Sequence, residues 1–185
     1  MNRPASGRQR LLAFGIDYLL IAAYLALLAA ASLAVGWALR RERRLPATPR
    51  ERAWGHVVSF LSLTLPITLY FARAESLPRG ATFGKRALGL RVITMRGDRV
   101  PFRWALLRAA LKFTPWEIAH TTLWQTPGWP VEPQLTAFHW LGYGLSLLLS
   151  GWYVVTLFAG RRRTPYDRAA GTRGDRRRAR SADDG

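Results

Sequence analysis

The sequence has no cysteine, only two lysines and only 11 acidic residues among 185. Without cysteine the chain forms neither disulfide bonds nor thiol-based catalytic or metal sites. Arginine dominates the charge, and the formal net charge is +17. In a soluble protein this charge would indicate nucleic acid binding, but the arginines lie in blocks that flank long apolar runs. That placement is typical of segments at a membrane surface with anionic lipid headgroups, so we expect no nucleic acid partner.

Charge is absent from the segment 18–39, whose 22 residues would span about 33 Å as a helix. A bilayer core is about 30 Å thick, and backbone polar groups in lipid must be satisfied within a helix. The run is also longer than the apolar core of a cleaved signal peptide, about 7–15 residues. Further apolar runs at 54–72 and 136–159 predict two more crossings, and we expect Pro66 to kink the second helix.

The segment 105–124 is ambiguous because charged side chains interrupt its apolar residues. Arg108 and Lys112 are four residues apart and share one face of a helix. The segment either lies in the interface or crosses in the shelter of other helices, with its charges facing them. Both alternatives remain open at this level.

The distribution of lysine and arginine predicts the orientation. These residues number eight in 73–104 and nine in the tail from 160, and the turn 125–135 has none. Four crossings place the N-terminus, 73–104 and the tail together in the cytoplasm, and only the six arginines of 40–53 then violate the positive-inside rule. We therefore expect a multi-pass protein of the cell (plasma or inner) membrane with both termini in the cytoplasm. The segment 105–124 is then a weak crossing or a re-entrant segment.

The polar segment between the second and third runs predicts the only strands. "LRVITM" and "RVPF" flank Gly97-Asp98, a pair that favours a two-residue turn, so we expect a cytoplasmic β-hairpin over 90–102. The fold class is then an all-α integral membrane protein with three to four transmembrane helices and a small β-hairpin. We expect disorder in the basic tail 173–185, and no internal repeat is recognisable.

Candidate ligand-binding motifs are incomplete. "GATFGKR" (80–86) is one residue short of a phosphate loop and has Arg86 at the Ser/Thr position. Glu117 and His120 have the Glu-x-x-His spacing of di-iron bundles, which need a second copy and two further glutamates. We therefore expect no cofactor, no metal and no catalytic residue. The three histidines are expected to be interfacial or packing residues: His56, His120 and His139.

Three segments together resemble one family in their order and spacing: "RLLAFGIDYLL" (10–20), "ATFGKRALGLRVI" (81–93) and "RRRTPYDRAAGT" (161–172). They are similar to the RDD family of small multi-pass membrane proteins, named for one arginine and two aspartates. The resemblance covers 8–172 and implies that these three residues are Arg10, Asp17 and Asp167. Its supporting motif residues are Gly84, Lys85, Arg86, Gly89, Arg91, Arg108, Gly171 and Thr172.

The sequence departs from the family pattern at two places. Tyr166 stands where the family often has histidine, and "RGDRRRARS" follows "AGT" where an apolar strand is common. The family's biochemical role is largely unassigned; some members are linked to ion transport and others to the assembly of membrane complexes. The resemblance therefore implies a class of protein rather than a reaction.

These residues predict a polar cluster at the cytoplasmic mouth of the bundle. Asp17 lies next to an uncharged run that already spans a bilayer, so we expect it at the membrane edge. Arg10 is seven residues away, and a direct pair is not favoured. We expect arginines to neutralise Asp17 and Asp167, with Arg86, Arg91 and Arg108 as candidates.

Two functions follow from this cluster. The first is a non-enzymatic accessory or scaffold protein of the cell membrane, with anionic lipid headgroups, other membrane proteins or a second copy as partners. The second is an ion or small-solute transporter, or a subunit of one, that uses Asp17 and Asp167.

Overall fold

The computed structural model describes residues 5–40, 46–159 and 163–176. Its elements are the helices α1 (Gly7–Ala38), α2 (Pro49–Ser59), α3 (Leu65–Ser76), α4 (Phe83–Ala87), α5 (Phe102–Gln125), α6 (Ala137–Phe158) and α7 (Pro165–Ala169), and the strands β1 (Leu90–Thr94) and β2 (Thr172–Arg176). A π-helical turn, Phe60–Thr64, joins α2 to α3, so that the two form one 28-residue helix.

Three of the described helices are long and apolar enough to cross a membrane: Gly7–Ala38, Pro49–Ser76 and Ala137–Phe158. They contain most of each of the three predicted apolar runs. Their outer faces carry large apolar side chains that are exposed, such as Leu19, Leu27 and Leu148. So large an apolar surface is rare on a soluble monomer and suits contact with lipid. The predicted class, an all-α membrane protein with a small sheet, is confirmed.

Helix α5 runs antiparallel to α3 and α6 and packs against both. Phe113 meets Phe71 of α3, with ring centroids 5.1 Å apart. The Ser146 hydroxyl of α6 donates to the Pro115 carbonyl at 2.6 Å. Arg108, on the face towards α3, is buried. Other helices thus cover Arg108, which is the feature that the sheltered alternative for 105–124 requires.

Prolines within the helices free carbonyl groups that neighbouring helices then satisfy. A proline lacks the N–H that would bond the carbonyl four residues earlier. Pro66 thus frees the Ser62 carbonyl, which accepts from the Tyr24 hydroxyl of α1. Pro115 frees the Leu111 carbonyl, which accepts from the Tyr153 hydroxyl of α6 at 2.9 Å. At Pro66, where we expected a kink, the helix contains the π-helical turn, a common local adjustment.

The small sheet is present, but its second strand differs from the prediction. β1 pairs antiparallel with β2, with Leu90 opposite Arg176 and Thr94 opposite Thr172. The turn at Gly97 does form, since its N–H donates to the Thr94 carbonyl at 3.1 Å. The expected hairpin strand fails to form because Pro101 cannot donate to a ladder and the chain enters α5 at once.

This pairing also corrects the expectation of disorder from residue 173 onwards. Residues 173–176 lie in β2, where backbone hydrogen bonds to β1 hold them. The rest of the tail, 177–185, lies outside the described residues.

The two strands belong to two similar units, which corrects the expectation that there is no internal repeat. The segments "TFGKRALGLRVIT" (82–94) and "TPYDRAAGTRGDR" (164–176) share Thr, Arg, Ala, Gly and Arg at equivalent positions. Each unit has an N-terminal threonine cap, a five-residue helix, a glycine and a five-residue strand. The glycines, Gly89 and Gly171, have φ near +60°, a conformation that side chains disfavour. The antiparallel strands relate the units by approximate twofold symmetry.

Candidate functional site: a buried ion-pair cluster

Arg108 of α5 lies at the centre of a buried group of charges. Its Nη1 donates to Glu75 Oε2 at 2.5 Å. Its Nε and Nη2 each lie 2.9 Å from Asp167 Oδ1. The side chain of Arg108 is 2% exposed, and those of Glu75 and Asp167 are fully buried. One guanidinium therefore joins the end of α3 and the short helix α7 to α5.

Further donors engage the remaining carboxylate oxygens. Lys85 Nζ of α4 donates to Glu75 Oε1, and Arg10 Nη2 of α1 donates to Asp167 Oδ2. The backbone N–H and hydroxyl of Thr164 donate to the same Asp167 oxygen at 3.2 and 2.8 Å. We call these five charged residues the ion-pair cluster: Arg10, Glu75, Lys85, Arg108 and Asp167. With three cations and two carboxylates it carries a formal charge of +1, and each of its carboxylate oxygens is engaged.

Asp17 lies beside the cluster, and α4 binds it. Its carboxylate accepts from the Thr82 hydroxyl at 2.6 Å and from the Gly84 N–H at 2.7 Å. The Tyr70 hydroxyl is a third donor, at 3.4 Å. We expected an arginine to neutralise Asp17; the close donors that the structure describes are the cap and first turn of a helix, where the backbone dipole favours an anion. The motif that resembles a phosphate loop thus binds a carboxylate of its own chain.

The approach of α1 to α4 depends on the glycine at position 84. A Cβ added there would lie 2.0 Å from the Ala13 carbonyl oxygen and 3.0 Å from the Asp17 nitrogen. Only glycine allows the two backbones to come this close, and that distance lets the Gly84 N–H reach Asp17.

Electrostatics favours the ionised form of Asp167. Burial alone would raise the pKa of Asp167, but the guanidinium groups of Arg108 and Arg10 lower it well below its usual range. Burial lowers the pKa of Lys85, although Glu75 opposes that shift. Burial and Asp167 together raise the pKa of Tyr166. Tyr166 therefore stays a neutral ring against Arg108, whose guanidinium carbon is 5.1 Å from the ring centroid.

The structure brings together most of the predicted site residues, but not all of them. Arg91 contacts Asp175 across the sheet at 3.4 Å instead of Asp17 or Asp167. Arg86 is exposed. Thr172 is buried, and its hydroxyl donates to the Asp167 carbonyl at 3.4 Å.

Sequence reasoning missed Glu75 as a member of the cluster. Its signal resembles that of Asp17, because each is a carboxylate at one end of a long apolar run. A search for acidic residues at both ends of every predicted crossing would have found it.

A cavity of about 410 Å³ lies between α1, α3, α5 and α6, next to the cluster. Arg10, Asp17, Lys85 and Arg108 line its polar end, and apolar and aromatic side chains form most of its wall. Lys112 also lines it, with Nζ 4.3 Å from the Phe14 centroid and 3.8 Å from that of Phe71. The cavity therefore combines a cationic end with an apolar wall.

Long apolar helices with a buried ion-pair cluster at one end define a polytopic helical membrane protein. The chain belongs to the RDD family, whose family model matches residues 4–171. No curated protein and no solved structure matches the chain. Family membership therefore supports a membrane location, and it leaves the biochemical role to be inferred from the site.

Proposed function

We propose that the chain is a non-enzymatic accessory protein of the cell membrane in which the ion-pair cluster has a structural role. The observation that carries this proposal is that every oxygen of Glu75 and Asp167 accepts from a cationic side chain. Buried charges are tolerated when their partners are complete, and losing one partner is costly. A transported cation would have to displace a guanidinium or an ammonium group.

The ion-pair cluster holds the small sheet and its two short helices against the bundle. Lys85 attaches α4, Asp167 attaches α7, and Arg10 attaches the N-terminal turn of α1. The Ala5 N–H donates to the Gly174 carbonyl at 3.2 Å, which adds the N-terminus to the same assembly. The N-terminal turn, the segment 73–104 and residues 163–176 thus share one end of the protein. The positive-inside rule favours the cytoplasm for that end, and 40–53 is the arginine-rich segment that violates it.

Cysteine labelling tests this orientation, because the chain has no native cysteine. We expect a cysteine at Asp98 in intact cells to resist a membrane-impermeant maleimide until the membrane is permeabilised. A cysteine at Glu132, which is exposed in the turn between α5 and α6, should react from outside. The reverse pattern would overturn the proposed orientation.

The cavity supports anionic lipid as a partner. Its cationic residues outnumber Asp17, and Lys112 lies among aromatic rings that an acyl chain would contact. We expect the full chain, purified from detergent with added phosphatidylglycerol, to retain this lipid in native mass spectrometry, whereas Lys112→Gln should retain less. Arg103→Gln, on the exposed side of the same helix, is the matched control. Equal retention by all three proteins would contradict lipid binding in the cavity.

Transport of an ion or small solute is the second candidate, because Asp17 lines the cavity. Flux measurements in proteoliposomes separate the two functions. The accessory function predicts no proton or cation flux above that of protein-free vesicles, for the wild type and for Asp17→Asn. A flux that Asp17→Asn abolishes while the protein remains folded, and that the exposed control Asp98→Asn keeps, would establish transport instead.

A further inference from the structure

Three potential metal ligands meet in the half of the bundle away from the ion-pair cluster: His56, Glu117 and His120. One ligand atom from each lies within 4.8 Å of the other two. His56 Nε2 is 2.8 Å from Glu117 Oε1, and His120 Nδ1 is 3.3 Å from Glu117 Oε2. Glu117 is nine residues beyond Arg108 in α5, about 14 Å along the helix axis, so the two groups of charges are separate.

Surrounding polar groups hold these side chains in place. The Thr64 hydroxyl donates to Glu117 Oε2 at 2.7 Å. Ser59 Oγ lies 2.9 Å from His120 Nε2, and the Trp124 indole N–H donates to the same nitrogen at 3.1 Å. An indole only donates, so His120 Nε2 is an acceptor and Nδ1 faces Glu117. In known metal sites the ligating imidazole donates its other N–H to an outer-shell acceptor, and Ser59 Oγ is placed to accept from His120 Nε2.

We propose that His56, Glu117 and His120 form a binding site for a divalent transition metal ion, with Zn²⁺ as the best fit. Two imidazoles and one carboxylate are a donor set that zinc uses when its fourth position is left to water. Ligands about 2.0–2.1 Å from a tetrahedral ion lie about 3.3 Å from one another, close to the 2.8 and 3.3 Å contacts above. At each imidazole the ion would take the nitrogen that faces Glu117, and the ring proton would shift to the other nitrogen, so that the ring stays neutral. On His120 the resulting Nε2–H would donate to Ser59 Oγ, and the Trp124 indole would give up its contact with that nitrogen.

The proposed metal site is open at the surface of the bundle. The side chains of His56 and Glu117 are 20% and 25% exposed, whereas that of His120 is 6% exposed. An ion could reach the site past the first two ligands, and the open coordination position would face the same way. The Glu-x-x-His spacing in α5 supplies only two ligands; the third comes from α2, which is why one segment of sequence did not reveal the site.

The absence of cysteine makes Co²⁺ a clean optical probe, because no thiolate can contribute to its spectrum. We expect the full chain, purified in detergent and treated with chelator, to bind one Co²⁺ with a visible spectrum of low-symmetry, tetrahedral type. One equivalent of Zn²⁺ should displace it. Binding of less than 0.5 equivalent of either ion by the wild type (a threshold of about half occupancy for a one-site protein) would overturn the proposal, whether or not any variant folds.

Variants assign the binding to these residues. Glu117→Gln and His120→Ala should each weaken Zn²⁺ binding by more than the roughly 10- to 100-fold that loss of an outer-shell partner costs. His139→Gln is the matched control, since His139 lies in α6 and caps that helix through Thr136. Equal affinity of Glu117→Gln and wild type, or an equal loss in His139→Gln, would show that the ion binds elsewhere.

Discussion

At the scale of single residues, Arg108 determines whether the cluster is satisfied. Its planar guanidinium reaches Glu75 through one nitrogen and Asp167 through two others. A lysine ammonium is a single point charge and could not occupy both positions. Tyr166 covers the guanidinium with a neutral phenol ring, which fills that place without adding a further cation near Arg10.

Replacing Arg108 with alanine should destabilise the protein strongly. The change leaves Glu75 and Asp167 buried with one partner fewer each, and the expected loss is about 3–5 kcal/mol of unfolding free energy. Denaturation in mild detergent measures it. Arg103→Ala is the matched control in the same helix, because Arg103 is exposed. Equal losses in the two variants would mean that the cluster contributes nothing specific.

The ionisation of Asp167 predicts a dependence of stability on pH. Its pKa in the folded protein is lower than the value of about 3.9 expected in the unfolded chain. The stabilisation is therefore complete above about pH 4–5 and is lost as the pH falls. The difference in melting temperature between wild type and Asp167→Asn should be constant from pH 8 to 6 and should shrink towards pH 3. A difference that does not change down to pH 3 would contradict this assignment.

At the scale of elements, tyrosines compensate for the prolines inside two helices. Tyr24 and Tyr153 donate to the carbonyls that Pro66 and Pro115 leave free. Each bond fixes the position of one helix relative to another, so the irregular backbone also positions α1 and α6.

Tyr153→Phe should lower the unfolding free energy by about 1 kcal/mol, because it removes one hydrogen bond and leaves the Leu111 carbonyl without its donor. Tyr143→Phe in the same helix is the control, since the Tyr143 hydroxyl has no hydrogen-bond partner among the residues that the structure describes. Chemical denaturation of both variants measures the difference. A loss in Tyr143→Phe as large as that in Tyr153→Phe would argue against the role of the freed carbonyl.

The close contact between α1 and α4 predicts that one added methyl group at position 84 lowers the stability strongly. Gly84→Ala should push the helices apart, because its Cβ would lie 2.0 Å from the Ala13 carbonyl oxygen. We expect a loss of more than about 2 kcal/mol, comparable to overpacking in a core, together with loss of the Asp17 contact. Gly15→Ala in α1 meets nothing within 4 Å and should be neutral or slightly stabilising. Comparable melting temperatures for the two variants would refute the proposed close contact.

At the scale of the whole molecule, the sequence predicted the features that depend on local pattern. Long apolar runs predicted α1, α3 and α6, because a chain in lipid has few alternatives to a helix. Arg10, Asp17 and Asp167 were expected to share one end of the bundle, and the structure places them there. Their partners were harder to predict, because Glu75 and Thr82 reach the site only through the packing of remote helices.

The pairing of β1 with β2 could not be predicted from local sequence pattern, for a different reason. Five-residue strands have little periodicity of their own, and Gly97-Asp98 offered β1 a nearby partner. The chain instead pairs β1 with a strand about 80 residues later, and Lys85 and Asp167 of the two repeated units both join the ion-pair cluster. His56 and Glu117 meet for a similar reason, since the contact exists only once α2 packs on α5.

Hydrogen–deuterium exchange of wild type and Asp167→Asn in lipid nanodiscs most directly tests whether the ion-pair cluster holds the small sheet and the short helices against the bundle. Because Asp167, Arg108, Glu75 and Lys85 form one chain of contacts, the variant should loosen α4, β1, α7 and β2 together. Amides around His56 and Glu117 should exchange as in the wild type. If exchange is unchanged, or is faster in α7 alone, the ion-pair cluster does not hold these elements and the account is wrong.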